Sequence, residues 1–275
     1  LNTEVFLTAG LRNPLKGGFE VLDGDPVNGS GRSFVAWNWV ANSGTTASNT
    51  VGSLTSTVQV NSDAGFSIVE GKYFQGTIGH GLSQTPEWII YKEITNTNSW
   101  YVWHKGLTST TYYLLLESSQ AQTNYGATLW APTSTTFSTN LSLGGDRDAI
   151  AYCWHGVDGF SKFGSYTGNG SADGPFVYTG FKPAWLMIKN AGATASWFIL
   201  DRARNTFNPT ENWLVADDPQ AEVVTSGDRK IDFLSNGFKV RATTTDFNGS
   251  SANMIYMAFA EHPFAGNGTS PVTAR

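Results

Sequence analysis

The sequence predicts an all-β protein built as tandem antiparallel β-sandwiches, and three observations carry that prediction. The chain repeats itself: "TPEWIIYK" (85–92) matches "KPAWLMIK" (182–189), and "SWYVWH" (99–104) matches "SWFILD" (196–201). From Pro86/Pro183 to Trp100/Trp197 the offset stays at 97 residues without a gap. Its apolar segments are short, rich in Trp, Tyr, Ile, Val and Phe, and divided by turn signals such as "TNTN", "NAG" and "SGD". No stretch of about a dozen residues carries a helical stripe, and only "DPQAEVV" (218–224) predicts a helical turn.

In chain order, "GFEV" (18–21) and "FVAWNW" (34–39) flank the turn "VNGSGRS" and read as the closing strands of a unit. "GFSIVEGKYF" (65–74) opens the first full unit, followed by "WIIYK", "WYVWH", "YYLLLE" (112–117), "TFST" (136–139) and the closing "AIAYCW" (149–154). The second unit runs from "GFSKFGSYTG" (159–168) through "GFKV" (237–240) to "MIYMAFA" (254–260). The orphan closing strands belong to a unit whose front lies elsewhere, complete the first sheet, or pair with another subunit, because two strands alone bury too little to be stable. The division that follows is 1–64, a partial repeat plus a Ser/Thr-rich linker at 41–64; 65–157, the first sandwich; 158–264, the second; and 265–275, a tail.

Composition narrows the function. Charged residues make up 14%, against about 25% in an ordinary globular protein, while aromatics reach 13%. A net charge of −5 speaks against a nucleic-acid partner, which needs a basic face. The single cysteine, Cys153, excludes an internal disulfide and reads as a small buried hydrophobe. No apolar run approaches the roughly 18–20 residues of a membrane-spanning helix, and "LNTEVFLTAG" is not a basic, apolar leader.

Residues shared by both units serve the fold first: Trp88/Trp185, Trp100/Trp197 and Trp39/Trp154 are expected to anchor cores. Residues that differ are free to specialise. Trp103 and His104 stand where the second unit has Leu200 and Asp201; Trp130 and Trp213 sit among turn residues; His80 lies in "GHG". These five form the candidate glycan site, since an aromatic ring beside amides and carboxylates suits a pyranose. Asp23, Asp25 and Asn28 in "DGDPVNG" are the calcium candidate, although Asp-Gly is first of all a turn and an EF-hand spacing is missing. The histidines His80, His104, His155 and His262 have no zinc spacing. No catalytic signature is found, and a carboxylate pair such as Glu117 with Asp201 is one that sequence alone does not place.

Taken together, "IGHGLSQTPEWIIYK", "SWYVWHKGL", "YYLLLE" and "MIYMAFAEHPFAGNGTSPVTAR" resemble a repeat of tailed-bacteriophage virion proteins, described as tail-fibre or structural proteins. The resemblance covers roughly residues 17–275. It implies concanavalin A-like, jelly-roll-type sandwiches of the lectin/glucanase kind, carried on the virion surface and touching other virion proteins and host-surface polysaccharide. It also implies a homo-oligomer, a trimer by analogy with fibres, and a chain end at Arg275. Three functions compete: adhesion to host glycan without catalysis, a capsid-decoration or fibre-building role without sugar binding, and polysaccharide degradation.

Overall fold

The computed structural model describes residues 11–15, 18–22, 27–41, 45–72, 76–141, 147–224 and 227–261. Asp23, Asp25, His262 and the 265–275 tail lie outside the described residues. Among the described residues the chain is all-β with one helical turn. The N-terminal strands are β1 (Leu11–Leu15), β2 (Gly18–Val21), β3 (Ala47–Asn49), β4 (Ser56–Asn61), β5 (Phe66–Lys72) and β6 (Thr77–Gly79). There follow β7 (Trp88–Glu93), β8 (Tyr101–His104), β9 (Tyr112–Leu115), β10 (Thr123–Asn124), β11 (Thr136–Ser138) and β12 (Asp148–Trp154). The second half holds β13 (Ser161–Thr167), β14 (Phe176–Tyr178), β15 (Pro183–Asn190), β16 (Phe198–Asp201) and β17 (Leu214–Val215). It closes with β18 (Ile231–Leu234), β19 (Gly237–Val240), α1 (Thr245–Asn248) and β20 (Asn253–Ala260).

The repeat reappears as topology. The first large sheet runs β10-β9-β8-β7-β12-β5-β4-β3, and the second runs β13-β20-β15-β16-β17. Within them β5-β12-β7-β8-β9 and β13-β20-β15-β16-β17 are the same order, antiparallel throughout. Each half also has a small sheet in which equivalent residues pair: Ile78 opposes Phe137 in β6–β11, and Val177 opposes Phe238 in β14–β19. All four are buried.

Alternation along the strands sorts the large sheets into two faces. On one face of the first sheet Val69, Ala151, Tyr91 and Ile89 are buried, in one apolar cluster with Ile78 and Phe137 of the small sheet. On the matching face of the second sheet Leu186, Ile188, Leu200 and Ala258 cluster with Val177, Phe233 and Phe238. The remaining faces meet each other. Trp88 of β7 lies 6.3 Å from Phe163 of β13 and 5.9 Å from Trp197 (ring centroids). Met187, Ile255 and Met257 join the same cluster. Hydrogen bonds close this contact: Trp197 Nε1 donates to the Leu115 carbonyl (2.9 Å), Ala195 N to Ser119 (2.8 Å), and Gln122 N to Ala191 (2.8 Å).

Three segments differ from the sequence-based expectation. "FVAWNW" joins no strand: residues 32–40 are irregular, with Trp37 and Trp39 turned onto Trp185, Trp154 and Phe259. The closing-strand position of each large sheet is already filled, by β12 and by β20. The 41–64 stretch, expected as an exposed linker, contains β3 and β4, because "STVQV" alternates β-branched residues and its Val58 packs into the core. The "DPQAEVV" region is irregular; the helical turn is α1, "TDFN", following Thr244 as N-cap.

The lysines that end "WIIYK" and "WLMIK" are both buried, against the habit of that residue. Lys92 Nζ donates to the carbonyls of Glu93 (2.5 Å) and Asn96 (2.6 Å). Lys189 Nζ donates to Asn190 (2.7 Å), Ala193 (3.3 Å) and Ser119 (3.3 Å). Each ammonium gathers the carbonyls of the turn that follows its strand, and Lys189 also holds the first half. Replacing Lys189 by Met orphans three carbonyls. It should cost about 2–3 kcal/mol in urea unfolding, more than Lys92→Met, which leaves the contact between halves intact.

Candidate functional site

The five glycan candidates are all interior: His80, His104 and Trp130 are 0% exposed, Trp103 is 6% and Trp213 is 7%. A ring without exposed area offers no face to a sugar, so these residues serve the interior. Two of them, Trp103 and His104, are neighbours on β8, while His80, Trp130 and Trp213 lie apart in the chain. The turn placement of Trp130 and Trp213 misled because the turns fold inward: Trp130 bridges to Thr139, and Trp213 to Val223.

The two histidines have a specific interior role. His80 Nδ1 accepts from Leu82 N (3.1 Å) while Nε2 donates to the Thr133 carbonyl (3.2 Å), joining two loops. His104 Nδ1 accepts from Gly106 N (2.9 Å), with its ring edge-on to Trp88 at 5.1 Å. Burial pushes His80 down to about 4, and burial together with Lys105 pushes His104 to about 3. The unfolded chain takes up both protons near pH 6.5 while the folded chain refuses them, so acid favours unfolding.

For the calcium candidate, Asn28 is exposed and its partners Asp23 and Asp25 lie outside the described residues. Among the described residues no group of three His, Cys, Asp or Glu could hold a metal. Of the carboxylate pair, Asp201 is buried and spends both oxygens on Arg204, at Nε (2.6 Å) and backbone N (2.9 Å). Glu117 accepts from Trp100 N (3.0 Å). Trp100 itself is half-buried, unlike its fully buried counterpart Trp197.

An aromatic row that the sequence did not flag remains at the surface. Tyr101 of β8 lies 5.3 Å from Tyr113 of β9, and Tyr113 lies 6.5 Å from Tyr125, beyond β10 (ring centroids). All three are half-buried. The hydroxyls of Tyr101 and Tyr113 make no hydrogen bond within the described chain, which leaves them to solvent or a ligand. Burial, helped by Tyr113, Glu117, Tyr125 and Glu93, pushes the Tyr101 hydroxyl up to about 12, so it stays a donor across ordinary pH. Behind the row Glu93 is fully buried, with Oε2 accepting from Asn98 (2.6 Å) and Arg147 (2.9 Å).

The second half shows what this position does when it is not open. Tyr101 opposes Leu115 as Phe198 opposes Val215, so Phe198 and Trp213 are the counterparts of Tyr101 and Tyr113. There Phe198 stacks edge-on with Trp213 (5.1 Å) and with Phe247 of α1 (4.8 Å). The Arg229 guanidinium covers both rings at 5.6 Å. Among the described residues the first half has hydroxylated rings, no such cap, and a third tyrosine extending the row.

The family match covers residues 7–263. The chain belongs to the DUF7483 family, a domain of unknown function. No curated protein and no solved structure matches this DUF7483 chain. Its chemistry therefore rests on the residues just described.

Stability of this DUF7483 member should fall as pH drops from about 6.5 toward about 4, by up to about 2.7 kcal/mol per pH unit while two protons are at stake. Thermal melts across that range check it. His104→Asn, which preserves an acceptor for Gly106 N, should remove roughly half the slope.

Proposed function

We propose that this chain is a non-enzymatic adhesion module of a virion surface that holds a glycan strand across Tyr101, Tyr113 and Tyr125. The observation that carries it is the contrast between halves: one strand position is capped and apolar in the second half, open and hydroxylated in the first. Rings about 5–6.5 Å apart, along successive strands, give sugar C–H faces something to pack on. The Tyr101 and Tyr113 hydroxyls, and the Glu117 carboxylate that helps to raise Tyr101, supply polar partners for sugar hydroxyls. The net charge of −5 favours neutral or cationic glycans over sulfated ones. The two large sheets, read as concanavalin A-like, jelly-roll-type sandwiches, supply a rigid platform. Weak binding per site would be multiplied by many copies on one particle.

The virion setting comes from the sequence resemblance; the tyrosine row comes from the geometry. A fibre-building role without sugar binding is the second reading, favoured by the exposed Phe34, Val35 and Val40 of the uncharged segment at residues 33–40.

A glycan array with the whole chain tests adhesion. Tyr113→Ala and Tyr125→Ala should each weaken binding by about fivefold to tenfold, at 1–1.5 kcal/mol per stacked ring, with melting temperature nearly unchanged. Trp103→Phe, an interior change, should leave affinity as it is. Binding that survives loss of both tyrosines, or no binding to any glycan, rejects this function; release of reducing sugar would favour an enzyme instead.

A further inference from the structure

The second half seats a cation of its own on its ring pair. The Arg229 guanidinium carbon lies 5.6 Å from the ring centroids of both Phe198 and Trp213, and ring faces carry partial negative charge. Its Nε donates to Asp246 (2.6 Å), which holds it there. The first half has a close copy of this ring pair. Centroids are 5.1 Å apart for Phe198 and Trp213, and 5.3 Å apart for Tyr101 and Tyr113. The surroundings match as well. Trp213 bridges to Val223 as Tyr113 pairs with Thr123, and Trp197 N donates to Asp217 as Trp100 N donates to Glu117.

The same correspondence locates the cation's place in the first half. Trp130 bridges to Thr139 as Ile231 pairs with Val240, and Asn140 N donates to Leu129 as Arg241 N donates to Lys230. Thr128, two residues before Trp130, therefore stands where Arg229 stands, two residues before Ile231. Thr128 is exposed and uncharged. Nearby cations are engaged elsewhere: Lys92 Nζ donates to the Glu93 and Asn96 carbonyls, and Arg147 pairs with Glu93 (2.9 Å). The stretch "LSLGGD" (141–146) has no Lys or Arg to contribute. Carboxylates, in contrast, are close enough to act on the Tyr101 hydroxyl, namely Glu117 and Glu93. Among the described residues, the first half thus keeps the rings and acidic surroundings of a cation seat without a cation.

Resting on the adhesion reading above, we propose that the glycan held at Tyr101 and Tyr113 contains amino sugar, whose protonated amine takes the position over these rings that Arg229 takes in the second half. A lone arginine from a protein partner would need the ring pair only. The row continues to Tyr125, which suits a ligand built of repeated rings. Half-burial of the tyrosines strengthens the attraction over that of an open surface ring, and the net charge of −5 draws cations in.

Glucosamine oligomers and their fully N-acetylated counterparts of equal length, titrated against the whole chain at mildly acidic pH, separate the charge from the sugar ring. The amine forms should bind about fivefold to tenfold more tightly, with the preference shrinking as salt is added. Tyr113→Leu keeps an apolar cover but loses the aromatic face, and should erase most of the preference. Thr128→Arg supplies the cation from within and should lower affinity for the amine form about tenfold with a normal melt; Thr128→Gln, similar in reach but uncharged, should lower it far less. Equal affinity for the two oligomers overturns the cation seat and leaves adhesion standing. So does an amine preference that survives Tyr113→Leu, a Thr128→Arg effect no larger than that of Thr128→Gln, or binding of other glycans but neither oligomer. A glycan array with no binding at all rejects the adhesion reading and this inference with it.

Discussion

The structure depends on one contact: the face of the first large sheet laid against the face of the second, through Trp88, Phe163 and Trp197. A sheet in water can leave one face solvated, yet here both faces of both sheets carry large apolar residues. Each half therefore needs its small sheet on one side and its twin on the other. This explains the continuous apolar runs in "WIIYK" and "WLMIK", which no half-exposed strand would tolerate. It also explains Lys189: a buried ammonium is costly unless carbonyls surround it, and one of its three comes from the other half.

That shared interior decides which residues remain for function. Trp103, His104, Trp130, Trp213 and His80 are consumed by packing, and the histidines stay neutral because charge has no solvent to reach. The part of the first sheet that its own small sheet does not cover is the region of β8, β9 and the loop beyond β10. The tyrosines emerge there. The same place in the second half is closed by α1 and Arg229. Duplication thus produced two frameworks of like strand order, and in the second the helical turn and Arg229 pack over the rings.

The segment at 33–39 belongs to the same economy of faces and edges. Its inward indoles finish the seam between the two sheets, so it is held in place without a ladder. Its outward side presents Phe34, Val35 and Val40 to the surface. Its sequence is strand-like, yet the closing-strand positions of both large sheets are held by β12 and β20.

Much of the framework was legible in the sequence. The 97-residue offset, the period-two apolar runs and the turn residues between them fixed the all-β class and the equivalence of β7 with β15 and β8 with β16, because these are local properties of the chain. The site was not legible. Tyr101 and Tyr113 sit in "SWYVWH" and "YYLLLE", runs whose aromatic content signals burial, and nothing local distinguishes them from Trp103. Exposure is set by what lies over a residue, and for Tyr113 and Trp213 that depends on elements far along the chain. The pairing of β4 with β5 and the exclusion of "FVAWNW" are likewise tertiary outcomes, since strand propensity says that a segment can pair but not which edges are already taken.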